Sequence, residues 1–108
     1  MNTENKKQIE QLQILEQNIN NLIAQKQQFQ GNILEKESAL EELNETKSAF
    51  KIIGNIMIQS ESSKLKKDLN SEKERLELRL KSIEKQEESL RKKASEIQKK
   101  VLKSMEEN

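Results

Sequence analysis

The sequence predicts a mainly α fold, in which two long helices pair as one antiparallel coiled coil. A central β-hairpin joins them and assembles with the hairpins of other copies into a shared sheet or intersubunit β-barrel. Three observations predict this. Apolar residues recur at spacings of three and four along both halves of the 108 residues. Near the midpoint, Phe50 to Gln59 breaks that period with four Ile, a Phe and a Met around Gly54-Asn55. Finally, 31% hydrophobic and 36% charged residues, with 2% aromatic, can fill a narrow seam but cannot enclose a thick core. The absence of Pro and the strict periodicity argue against disorder. The chain reads as a single domain, 1–108, made of a helix over 5–47, a hairpin over 50–59 and a helix over 62–106.

In the first helix, Leu12, Ile19, Lys26, Ile33, Leu40 and Lys47 occupy one seam position. Leu15, Leu22, Phe29, Lys36, Leu43 and Phe50 occupy the other. The three lysines are read as side chains that snorkel out of the seam, with a role in pairing specificity as the alternative. Gly31 costs about 1 kcal/mol against Ala without ending the helix. In the hairpin, Gly54 suits the first central position of a type II′ turn, with Asn55 tolerant of positive φ. Ile53 then pairs with Ile56, Ile52 with Met57, Lys51 with Ile58 and Phe50 with Gln59. Both faces are mostly apolar, and the helices offer no partner sheet. A lone two-stranded hairpin is marginal in water, so an obligate oligomer is expected.

Ser60-Glu61-Ser62-Ser63 offers N-cap oxygens to the second helix. Its seam runs through Leu69, Lys73, Leu76, Leu80, Ile83, Glu87, Leu90, Ala94, Ile97, Val101 and Ser104. Ser71-Glu72-Lys73-Glu74 resembles a capping box, so an irregularity near Asn70 is expected. Glu74, Arg75, Glu77, Arg79, Lys81, Glu84 and Lys85 form a charged, solvated exterior. Antiparallel pairing with Thr46 roughly opposite Ser63 brings Leu12 and Leu15 toward Ile97 and Val101, and Phe29 toward Leu80 and Ile83. The end away from the hairpin then holds both termini. Ile9, Ile14, Ile23, Leu102 and Met105 fall beside the seam there. They are either stray hydrophobes of a frayed end or a greasy tip that holds apolar partners.

Charge and composition exclude several function classes. Twenty basic against nineteen acidic residues leave a net charge of +1, with no basic field for a phosphate backbone and no aromatic platform for bases. With no His and no Cys, thiol chemistry and a zinc site of the usual type are unavailable, and no cofactor is expected. There is no Gly-rich phosphate loop, and the carboxylates lie on solvated helices, so an enzyme is not expected. No run approaches the ~20 apolar residues of a membrane span, and the N-terminus carries no apolar signal core. A cytoplasmic protein is the expectation.

The stretch Lys51-Ile52-Ile53-Gly54-Asn55-Ile56-Met57-Ile58 is similar to the hairpin of the archaeal prefoldin β family. The stretch from Leu76 to Leu90 is similar to that family's second helix, and Gln25-Lys26-Gln27-Gln28 and Ala39-Leu40-Glu41-Glu42-Leu43 also match. The resemblance extends more distantly to the β-class subunits of the eukaryotic complex, and it covers nearly the whole chain. Phe50 departs from the family's usual Tyr. The resemblance implies an ATP-independent co-chaperone: a hexamer of two α and four β subunits, its hairpins forming a barrel platform and its coiled coils forming tentacles. Unfolded clients would be held at the tips and passed to a group II chaperonin. The implied assembly residues are Phe50, Ile52, Ile53, Gly54, Asn55, Ile56, Met57 and Ile58. The expected client-binding residues are Ile9, Leu12, Ile14, Leu15, Val101, Leu102 and Met105. The alternative is a structural coiled-coil spacer or assembly subunit, which would share the heptads but would not need a hairpin apolar on both faces.

Overall fold

The computed structural model describes residues 3–45 and 48–107. The chain runs α1 (Thr3–Leu43), β1 (Ser48–Ile53), β2 (Ile56–Glu61) and α2 (Ser62–Glu107). The 41 residues of α1 and 46 of α2 make helices roughly 60 and 70 Å long at ~1.5 Å per residue. The chain divides into two compact units, one holding residues 28–80 and the other residues 1–27 with 81–108.

In the hairpin unit, β1 and β2 pair antiparallel in the register the turn demands: Ile53 with Ile56, Ile52 with Met57, Lys51 with Ile58, and Phe50 with Gln59. Pairing continues through Ala49 with Ser60 and Ser48 with Glu61, so the strands are longer than the expected 50–59. Gly54 has a φ of 61°, and no non-Gly residue has positive φ among the described residues. Only the first central residue is therefore left-handed, which is the type II′ pattern, and Asn55 has no need of the positive φ it could tolerate.

α1 ends at Leu43, short of the expected 47, and the chain is extended from Ser48, where pairing with β2 begins. The N–H of Asn44 donates to the Glu41 carbonyl and that of Glu45 to the Glu42 carbonyl, at 3.3 and 3.2 Å, tightening the last turn. Phe50, expected in the helical seam, is consequently a strand residue. Lys47 and Thr46, expected in the seam and opposite Ser63, lie outside the described residues. At the other side, β2 passes straight into α2 at a buried Ser62. The capping signal around Ser71 does not interrupt α2, because Leu69, Lys73 and Leu76 keep the seam half-buried through that point.

The seams follow the heptads. In the hairpin unit Ile33, Leu43 and Leu65 are buried, with Phe29, Leu40, Leu69, Leu76 and Leu80 half-buried. The Arg79 guanidinium lies over the Phe29 ring, 5.1 Å from its centroid. Lys36 pairs with Glu72 at 3.1 Å, and Lys73 with Glu37 at 3.3 Å and Glu77 at 3.8 Å, so half-buried lysines meet exposed carboxylates in ion pairs of small energetic weight. In the other unit Ile19, Leu22, Ile83, Ala94 and Val101 are buried, and Leu12, Leu15, Leu90 and Ile97 half-buried. Two helices bury only a stripe, so no large side chain among the described residues is fully enclosed.

Candidate functional site

The hairpin gathers six of the exposed large hydrophobic side chains among the described residues. Phe50, Ile52, Ile53, Ile56, Met57 and Ile58 are all exposed, Ile52 by 68%. Alternation puts Phe50, Ile52 and Met57 on one face and Ile53, Ile56 and Ile58 on the other. Within the same unit, a groove of about 620 Å³ is lined in part by Leu43, Phe50, Ile52, Leu65 and Leu69. Scattered exposed hydrophobes are ordinary, but six together on two paired strands with free edges are not.

The unit built from residues 1–27 and 81–108 divides the expected tip residues by position on the helix. Ile14, Leu102 and Met105 are exposed, at 59%, 61% and 53%. Ile9, Leu12 and Leu15 are half-buried, and Val101, at 7%, is buried in the seam. The exposed candidates are thus those beside the heptad positions, while Val101 supports the pairing of the helices. Leu15 and Ile97 line one groove together with Ile14. The polar residues of that groove, Gln11, Lys93, Glu96 and Lys100, carry no apolar signal, but the seven-residue spacing of the two lysines around Ile97 places them on one face. Leu34 and Leu78 are further exposed hydrophobes, in the hairpin unit, at positions the heptads do not mark.

The seam itself holds a charged cluster. Lys26, at a position expected to snorkel, donates instead to Glu87 Oε1 at 2.8 Å, and Arg91 Nε donates to Oε2 of the same carboxylate at 2.8 Å. Glu87 is buried. The Lys26 hydrogen bond and then that of Arg91 hold its pKa below the ordinary glutamate value, against the partial desolvation that pushes it up. A second polar seam residue, Asn5, is only 2% exposed and stands one heptad before Leu12. A polar residue in an otherwise apolar seam disfavours registers that leave it without a partner. No helix among the described residues is long and apolar enough to cross a membrane.

The comparisons with known proteins agree with this architecture. The family described as prefoldin subunit matches residues 6–108. The prefoldin subunit beta of Archaeoglobus fulgidus is 34% identical over 96 residues, covering 86% of this chain and 83% of that protein. That of Saccharolobus islandicus is 34% identical over 97 residues, covering 87% and 77%. The crystal structure of the prefoldin beta subunit from Thermococcus strain KS-1 superposes with a TM-score of 0.91 at 24% identity, covering 95% of this chain and 93% of that one. With its heptad seams, its II′ hairpin and a match across nearly its full length, the chain belongs to the prefoldin subunit family.

Proposed function

We propose that the chain is a β subunit of a heterohexameric prefoldin, an ATP-independent co-chaperone of the cytoplasm. Two α and four β subunits join through their hairpins in a shared β-barrel, and the terminal regions of the coiled coils hold unfolded clients, suppress their aggregation and deliver them to a group II chaperonin. The observation that carries the holding role is the exposure of Ile14, Leu102 and Met105 on a unit whose heptad positions are otherwise buried or half-buried. Contact through exposed apolar side chains is non-directional, which suits a partner with no fixed shape. Each contact is weak, but several linked copies raise the effective concentration and bind together.

The test separates a chaperone from a spacer. Replacing Ile14, Leu102 and Met105 by Ser should abolish suppression of client aggregation, with no nucleotide dependence before or after. None of the three belongs to the hairpin, so sedimentation should find the assembly intact. An assembled variant that protects an unfolded client as well as wild type would sink the holding role at these residues.

A further inference from the structure

One groove of the terminal unit, about 340 Å³ in volume, has an apolar floor and a rim unbalanced in charge. Its floor is Ile14, Leu15 and Ile97. Gln11 forms the rim on α1, and Lys93, Glu96 and Lys100 form it on α2. The two lysines outnumber the single carboxylate, and α1 adds no charge. The imbalance continues along the helix, where residues 91–103 include six basic side chains and one acidic one. Arg91 is engaged by Glu87, whereas Lys93 and Lys100 enter no ion pair among the described residues.

The spacing suits an extended guest. Seven residues separate Lys93 and Lys100, about 10 Å along the helix axis. An extended chain rises about 3.3 Å per residue and alternates its side chains between two faces, so carboxylates four residues apart share a face and stand about 13 Å apart, within reach of the flexible lysine stems. Lysine stems can lie along apolar surface while the ammonium stays in water, so the rim can meet a carboxylate without abandoning the floor.

We propose that this groove selects segments of unfolded chain in which apolar side chains are flanked by carboxylates four residues apart. The inference rests on the client-holding role proposed above and adds the charge class of the client. Apolar contact alone does not discriminate between acidic and basic chains, while like charges brought together are disfavoured and unlike ones favoured.

Three fluorescent peptides test it against the full-length chain in its assembled form. They share the same apolar residues, and their flanking positions are acidic, neutral (Gln, Asn) or basic. Anisotropy titration at low salt should find the acidic peptide tighter than the basic one by about tenfold. The difference should collapse at about 1 M salt, where the screening length falls to roughly 3 Å. In the Lys93→Glu/Lys100→Glu variant the order should reverse, and in Lys93→Gln/Lys100→Gln it should flatten, with helix content unchanged in both. Equal binding of the three peptides, or an acidic preference that survives both variants, overturns the charge selection and leaves client holding standing. Failure of all three to bind overturns both.

Discussion

Glu87 is the one acid among the named seam positions of α2, and two bases answer it from different directions. Lys26 comes across from α1 and Arg91 lies one turn along α2. Such a cluster is poor evidence of stability, because desolvation can exceed the attraction, but it penalises registers in which either charge is left unpaired. Its pH dependence follows from the direction of the shift. The folded-state pKa of Glu87 lies below the ordinary value of about 4.3. The interaction is therefore fully present above that value and is lost as pH falls through the folded pKa. Thermal melts of Glu87→Gln should show a shallower fall in Tm than wild type on going from about pH 5 to about pH 3. Parallel curves for the two proteins would mean that the acid sensitivity lies in other carboxylates.

At the scale of the element, α1 carries an avoidable cost at Gly31. The position is exposed inside the helix, and a Cβ added there meets nothing within 4 Å. Gly31→Ala should stabilise the helix by about 1 kcal/mol through propensity and a less flexible unfolded chain. The check is an upward shift of the denaturation midpoint followed by helical circular dichroism, and an unchanged midpoint would count against it. The same element shows what a sequence can and cannot display. The heptads were legible because burial repeats every three or four residues, and the hairpin register because Gly54-Asn55 leaves one two-residue turn to build on. The end of α1 was not, since no Gly or Pro stands near Leu43 to mark it, nor was the extension of the ladder to Ser48 and Glu61, which lies outside the apolar stretch. Nor was the Lys26–Glu87 pair, because antiparallel register inferred from the turn is good only to about one helical turn. Of the expected tip residues, Ile14, Leu102 and Met105 are exposed, whereas Ile9, also beside the heptads, is half-buried. Val101 is a seam position as well as an expected tip residue, and it is buried.

At the scale of the whole molecule, a single copy leaves its hairpin unfinished. Six large apolar side chains stand exposed on its two faces, and the outer edges of β1 and β2 have no neighbouring strand among the described residues. Each of those side chains is worth roughly 1.5–3 kcal/mol on burial, and only other chains are available to cover them if the helices stay paired in their own seams. Ile56 is the most direct probe. It is exposed by 64%, pairs with Ile53 beside the turn and shares a face with Ile58. Ile56→Asp leaves the turn glycine and both helical seams untouched in the single copy. In a shared barrel it places a carboxylate among apolar neighbours, at a cost of several kcal/mol per chain unless it relaxes outward to water. The variant should therefore lose its higher oligomers in sedimentation velocity, while far-UV circular dichroism retains most of the wild-type helix signal. Because client contact is assigned to other residues, the dispersed variant should also lose aggregation suppression through lost multivalency, although its own tip side chains are unchanged. Assembly at the wild-type sedimentation coefficient would remove the hairpin as the interface, and the groove lined by Leu43, Leu65 and Leu69 would be the next surface to test.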